Sequence, residues 1–206
     1  GDVDFSTGNV RVEGDLTISG TIGAGFVVEA SGNIAVMGAV EGATVRAGGN
    51  IIVGGGIIGQ EVGTVDAEGS VTARFVEGAT IRAGGNIVIA AEARLSTILA
   101  DGSVTVGGGR GAGRITGGLT RGRIGVEAVE IGSENGTPTK VQAGWGRSLD
   151  DEDHPPVAAP RILARSGALP GASITVAGAT AHISSATPGG SWRDIDGKLT
   201  FTPASR

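Results

Sequence analysis

Two histidines are the only imidazole groups in the chain that could serve acid–base chemistry or metal binding. His154 lies beside the acidic residues 150–153, and imidazole together with carboxylates can hold a metal ion. One histidine among acids just before two prolines is, however, typical of a solvated loop. His182 is followed by Ser184 and Asp196, but no nucleophile elbow accompanies them. We therefore predict no catalytic triad, no metal site and no cofactor.

Four arginines form the one basic concentration in the sequence: Arg110, Arg114, Arg121 and Arg123. A segment rich in glycine and arginine can contact phosphates or an acidic partner. No aromatic residues are interleaved for base stacking, and the net charge of the chain is −5, which disfavours nucleic acid as a ligand. We keep these arginines as candidate contacts for a polyanion or a protein partner.

Enzymes that cleave acidic polysaccharides need clustered carboxylates or a basic residue, together with aromatic platforms for the sugar. This chain has no tyrosine, and its acidic residues are scattered. We therefore predict no catalytic residues and no enzymatic activity.

Trp145 and Trp192 are typical of packing at the end of a fold, although an exposed tryptophan would mark an interface.

The composition limits which elements can position these residues. Glycine accounts for 40 of the 206 residues, and the apolar residues are mostly Val, Ile, Leu and Ala. A core of small branched side chains with many tight turns is typical of a thin β protein, and collagen is excluded because glycine does not recur at every third position. No stretch approaches the ~18 apolar residues of a membrane span. The chain starts at GDVDFSTGN, which has no initiator Met and is not a signal peptide, so the expected location is the cytoplasm.

An internal repeat is the strongest signal in the sequence. Its copies read EASGNIAV, RAGGNIIV, DAEGSVTA, RAGGNIVI and LADGSVTV, and their alanines recur at intervals of 17, 20, 16 and 17 residues: Ala30, Ala47, Ala67, Ala83 and Ala100. In each copy a glycine and an Asn or Ser indicate a sharp turn, for which we expect the glycine to adopt positive φ. Alternating apolar residues follow, which is the pattern of a strand with one buried face.

The repeat predicts an all-β fold, a right-handed parallel β-helix with one coil per repeat. A second short strand ends two residues after Val28, Val45, Val65, Ile81 and Ile98. Stacked coils would place these residues, with Val36, Val53, Ile89 and Val106, in continuous aliphatic ladders about 4.8 Å apart. The Asn and Ser side chains would form a polar ladder outside.

The regular pattern predicts three regions. Residues 1–148 form the parallel β-helix, and residues 149–161 form an acidic, proline-rich loop or linker. Residues 162–206 supply the closing strands, which either add final coils or cap the helix.

From Asp4 to Gly144 the chain resembles the β-helix of the flagellar assembly protein A family. The resemblance is carried by DFSTGNVRVEGDLTISG, the repeated coils, GRITGG, VEIGS and TPTKVQAG, and then by LPGASITVAG and GKLTFTP near the end. More distantly, the architecture is similar to that of bactofilins, which are bacterial and polymerise end to end. The long helical hairpin typical of the family is replaced here by residues 149–160, and the N-terminal region typical of the family is missing from this sequence.

The resemblance implies a non-catalytic scaffold whose rigid surface serves flagellar or polar assembly proteins or self-association. The alternative is a surface-exposed adhesin or a polysaccharide-binding β-helix, which the lack of a signal peptide and of aromatic residues disfavours.

Overall fold

The computed structural model describes residues 1–108, 113–144 and 159–205, and in these ranges all regular secondary structure is β-strand. The strands before residue 74 are β1 (Val10–Val12), β2 (Leu16–Ile18), β3 (Val27–Ala30), β4 (Ile34–Val36), β5 (Val40–Glu41), β6 (Thr44–Ala47), β7 (Ile51–Val53), β8 (Ile57–Ile58), β9 (Thr64–Ala67) and β10 (Val71–Ala73). Those that follow are β11 (Val76–Glu77), β12 (Thr80–Ala83), β13 (Ile87–Ile89), β14 (Glu92–Ala100), β15 (Ser103–Val106), β16 (Arg114–Gly122), β17 (Gly125–Ile131), β18 (Thr139–Ala143), β19 (Arg161–Ala168), β20 (Ala172–Val176), β21 (Ala179–His182), β22 (Gly190–Ile195) and β23 (Lys198–Pro203).

The strands stack in three parallel ladders, so the protein is a parallel β-solenoid. The first ladder contains β1, β3, β6, β9, β12, the end of β14, the end of β16, β18 and β20. The second contains β2, β4, β7, β10, β13, β15, the start of β17 and the start of β19. The third contains β5, β8, β11, the starts of β14 and β16, and the ends of β17 and β19.

The predicted core register is confirmed. In the first ladder, the aligned residues Val45, Val65, Ile81 and Ile98 are fully buried. In the second ladder, at most 2% of the surface of each predicted core residue is exposed, and these residues are Val36, Val53, Ile89 and Val106. Alternation along each strand points every second side chain inwards, and burial of one such side chain stabilises the fold by about 1.5–3 kcal/mol. The ladders therefore form one continuous aliphatic core.

The third ladder is not part of the sequence prediction, which assigned two strands to each repeat. Its strands β5, β8 and β11 contain two residues each, too few to show a period of two. Even so, one residue of each strand closes the core: Val40, Ile57, Val76, Ala93 and Ile115 are all buried. Each coil therefore has three walls.

A local turn absorbs the longest interval of the repeat. Between Ala47 and Ala67 the extra residues form a turn in which Gln60 and Glu61 adopt positive φ and the Gly63 N–H donates to the Gly59 carbonyl at 2.6 Å. The next strand still pairs in register, with Val65 beside Val45. Variation in coil length therefore changes the turns and leaves the ladders intact.

The reason predicted for the repeat glycines is wrong. Gly32, Gly49, Gly69, Gly85 and Gly102 are not among the residues with positive φ. Instead, a Cβ at Gly49 would lie 2.5 Å from the Asn33 Oδ1 atom and 3.1 Å from the carbonyl carbon of Gly32, both in the preceding coil. Glycine is required here because neighbouring coils approach closely at this corner, and not because the chain turns through a left-handed conformation.

Antiparallel strands cover the C-terminal end of the stack. The strand β19 extends the second and third ladders, and β20 extends the first ladder, both in parallel pairing. Then β21 pairs antiparallel with β20, β22 pairs antiparallel with β19, and β23 pairs with β22. The closing segment thus both extends the solenoid and reverses the chain across its last edges.

The handedness of the coil and the division of the chain at residues 148 and 161 stay predictions, and most of the segment 149–161 lies outside the described residues. In the ranges that the structure covers, no helix has the length and apolar character that crossing a membrane requires.

Candidate functional site

The outward face of the first ladder carries a row of charged side chains that alternate in sign. One residue per coil points outwards directly before the repeat alanine, or before Val12 in the first coil, and in order these residues are Arg11, Glu29, Arg46, Asp66 and Arg82. We call this row the charged row. The register brings opposite charges together, because each residue lies beside the equivalent residue of the next coil, about 4.8 Å away.

Ion pairs join successive members of the charged row. Glu29 is bound by Arg11 at 3.1 Å and by Arg46 at 3.0 Å, and Asp66 is approached by Arg46 at 3.9 Å and by Arg82 at 3.4 Å. The arginine side chains are 55–84% exposed, so each pair contributes at most about 1 kcal/mol. The pairs hold the long side chains in an ordered row without adding much stability.

A shallow groove of about 700 Å³ runs beside the charged row across several coils. The repeat alanines and Val12 line it together with the residues that follow them, which are Glu13, Ser31, Gly48, Glu68, Gly84 and Asp101. Cations and anions alternate along the groove, so it suits a protein surface of mixed charge better than a polyanion. Among the described residues, no group of three or more His, Asp or Glu is placed to hold a metal ion.

The outside of the second ladder is bordered by a ladder of hydrogen-bonded polar side chains, as predicted. Asn33 Nδ2 donates to Asp15 Oδ1, and Asn50 Nδ2 donates to Asn33 Oδ1. The backbone N–H of each next residue also donates to the side-chain oxygen one coil before it, up to Ser103. The polar residues of the repeat are thus occupied within the fold.

The structure separates the arginines that are close in sequence. Arg114 lies on the third ladder, where its Nε is 2.6 Å from Glu130 Oε1, whereas Arg121 lies on the first ladder and donates to Gln142 at 2.6 and 2.9 Å. Arg123 follows at the next corner, and Arg110 lies outside the described residues. Whether a polyanion or a partner contacts them stays a prediction, but Arg114 and Arg121 belong to different walls.

The tryptophans and histidines also have defined places. Trp192 is 3% exposed, lies beside Ile162 and packs against Phe201 at a centroid distance of 4.7 Å. It therefore packs within the closing segment, and a role at an interface stays a prediction. His182 is exposed on β21 opposite Ser173. Trp145 and His154 lie outside the described residues.

Outside the ladders, one carboxyl group near the N-terminus has a shifted pKa. The Ser6 hydroxyl and backbone N–H donate to Asp4, which lowers the pKa of this carboxyl below its usual value. This interaction closes a local turn and lies away from the charged row.

Sequence reasoning missed the charged row, although a signal for it was present. In successive repeats the residue before the alanine is Glu29, Arg46, Asp66 and Arg82. Along the chain these acids are scattered, one or two per coil. Aligned by repeat position, the same residues form one row of alternating charge.

Comparison with known proteins shows that the chain matches the model of one protein family. A family model described as the Flagellar Assembly Protein A beta solenoid domain matches residues 1–154. Neither the curated proteins nor the solved structures gave a match.

Proposed function

The chain belongs to the flagellar assembly protein A β-solenoid family, and we propose that it is a non-catalytic scaffold that holds protein partners on a rigid surface during flagellar or polar assembly. The proposed location is the cytoplasm. The observation that carries the proposal is the family match over residues 1–154, together with a surface whose side chains are kept in rows by the solenoid itself.

Rigidity supports this role. Inside, one aliphatic core runs through the coils, and outside, the amide ladder and the ion pairs of the charged row link each coil to the next. A side chain on such a surface has a fixed distance from its equivalent one coil away, about 4.8 Å. Preorganised contacts reduce the entropy that a partner loses on binding, which favours recognition of extended protein surfaces.

The charged row is the proposed contact for protein partners. Its charges alternate along a groove, and electrostatic complementarity of this kind selects the partner and its register more than it adds affinity. Acidic side chains there are paired with arginines, as Glu29 is with Arg46 and Asp66 with Arg82. This pairing favours a binding role over acid–base chemistry.

Deletion of the gene in the native host, followed by complementation, tests the proposal. We expect the deletion to change the number or position of flagella in electron micrographs and the intact gene to restore them. A gene carrying Arg46→Glu and Arg82→Glu should restore them poorly, whereas Arg94→Glu on the third ladder serves as the matched control.

Three outcomes would overturn parts of the proposal. Unchanged flagella in the deletion strain would exclude the flagellar role. Failure of the protein to crosslink to any flagellar or polar assembly protein in cells would exclude the scaffold role. A fluorescent fusion distributed outside the cytoplasm would overturn the proposed location.

A further inference from the structure

The central outward row of the second ladder lacks charge over six successive coils, and the exposed Arg74 lies at the edge of this face, directly after β10. Its central outward residues are Thr17, Ala35, Ile52, Thr72, Val88 and Thr105. We call them the uncharged row. On the other two walls most of the equivalent positions carry charges, as in the charged row and at Glu41, Glu77 and Arg94 of the third ladder, whereas Ile58 and Leu99 are uncharged. The contrast lies between faces of the same coils, so it does not follow from the composition of the chain.

Large apolar side chains on this face are exposed to solvent. Ile52 is 53% exposed and Val88 is 42% exposed, with Thr72 between them, and Met37 beside the row is 56% exposed. The centres of protein interfaces are depleted in charged residues and enriched in apolar ones, including Met. A flat sheet surface bearing β-branched residues is also suited to pack face to face against another sheet, about 10 Å away.

From these observations we infer that the uncharged row is a homodimer interface, and that its occupant is the same face of a second copy of this chain. A two-fold axis that passes through the position of Thr72 places Thr72 opposite Thr72 of the second copy whether the solenoids run parallel or antiparallel. Ile52 then packs against Ile52 in the parallel arrangement and against Val88 in the antiparallel one. No charged member of the row is buried in either case, because the row contains none.

The same reasoning disfavours the charged row as the self-association face. Its charges are already paired within the chain, and in a parallel two-fold arrangement each charge would face the same charge of the second copy. The uncharged row loses only apolar and hydroxyl surface.

The size of the face indicates a modest affinity. Six coils span about 29 Å, and three outward rows span about 20 Å, so each copy would cover roughly 600 Å². Together the two copies would cover about 1,200 Å², the lower end of specific interfaces, so we expect a dimer at micromolar concentration. This inference does not depend on the flagellar role, because purified protein is sufficient to test it.

Sedimentation equilibrium of the full chain tests the interface. We expect the intact protein to dimerise, and Ile52→Lys with Val88→Lys to raise the dissociation constant by about 100-fold or more, because two charges per copy would be buried without partners. Ile58→Lys is the matched control, since Ile58 is an outward isoleucine on the third ladder. It should leave the dissociation constant unchanged. Equal melting temperatures would show that all variants fold.

Chemical crosslinking identifies the face independently. The chain has no cysteine, so Thr72→Cys introduces a single thiol, and a short bismaleimide should link two copies efficiently. Glu77→Cys, on the third ladder, should yield little crosslinked product. A protein that is monomeric at all concentrations would overturn the inference. It would equally be overturned by a dimer that resists the lysine substitutions and crosslinks no better through residue 72 than through residue 77.

Discussion

Asn33 and Asn50 occupy the same position in successive coils, and the Oδ1 atom of Asn33 accepts both the Asn50 backbone N–H at 2.8 Å and its Nδ2 at 3.1 Å. One side chain thus satisfies two donors of the next coil. Asn50 Oδ1 in turn accepts the Ser70 N–H at 2.8 Å, so the contact is passed along the stack. The amide ladder fixes the separation and the register of the coils at one corner.

The first prediction follows from this relationship. Asn50→Ala should lower the free energy of unfolding by about 1–2 kcal/mol, because the Ser70 N–H and Asn33 Oδ1 each lose a partner. Asn50→Ser should cost less, since Ser70 already accepts the Asn86 N–H through its hydroxyl at 3.0 Å. Urea denaturation of the three proteins provides the measurement. Equal losses for alanine and serine would show that the side-chain acceptor is not what stabilises this corner.

The core register predicts that adjacent residues respond oppositely to the same substitution. Ile87→Asp should abolish folding, because a carboxylate without a partner in a dry core costs several kcal/mol. Val88→Asp should keep the fold, since Ile87 is fully buried and Val88 is 42% exposed. Circular dichroism and thermal melting compare the two variants. A folded Ile87→Asp protein would contradict the register.

The repeat glycines provide a steric test. Gly49→Ala should destabilise the protein by about 1–3 kcal/mol, because its Cβ would lie 2.5 Å from Asn33 Oδ1 and 3.1 Å from backbone of the preceding coil. Gly108→Ala is the control, since nothing lies within 4 Å of a Cβ at that position. Chemical denaturation should show a loss only for Gly49→Ala. If both variants behaved alike, close approach of the coils would not explain this glycine.

The charged row predicts a small and salt-dependent effect. Glu29→Gln removes the negative charge that pairs with both Arg11 and Arg46, yet these arginines are 84% and 55% exposed. We expect a loss below about 1 kcal/mol at low salt that disappears at about 1 M salt, because exposed ion pairs are weak and screened. Melting temperatures across a salt series check this. A loss that persists at high salt would indicate a packing role for Glu29.

Sequence reasoning succeeded where a repeat position has one dominant cause. Val53 and Ile89 could be placed in the core because alternation and repeat spacing both require it, and the structure confirms them. The third ladder could not be found in this way, since a strand such as Ile57–Ile58 is too short to show a period.

The candidate site was harder to predict because it depends on residues that lie side by side in successive coils. Arg114 and Arg121 are close in sequence, but a corner at Gly117 and Gly118, both with positive φ, turns the chain between them. Conversely, Glu29 and Arg46 are distant in sequence and form an ion pair. In a solenoid the neighbours that make a surface are one coil apart, so charges must be compared by repeat position.

The closing segment supports a prediction about the ends of the stack. Parallel strand edges present unpaired N–H and C=O groups that can pair with another chain. At the C-terminal end, β21 and β22 cover β20 and β19, and Trp192 packs over this region against Phe201. At the other end, β1 and β2 each pair on one side only among the described strands.

Removing the closing strands should therefore change the assembly of the protein. We expect the intact chain to form no long filaments, and a chain ending at residue 161 to polymerise or aggregate through the edges that β19 and β20 would have covered. A chain ending at Pro188 retains β19–β21 and loses β22 and β23, so it should expose only the edge of β19 and associate less strongly. Because the first truncation also removes buried residues such as Ile162 and Ile174, circular dichroism must show that β structure is retained. Sedimentation velocity and negative-stain microscopy compare the three chains, and a heterologous contact that does not close would be seen as filaments. Long filaments from the intact chain would show that the closing segment is not a cap.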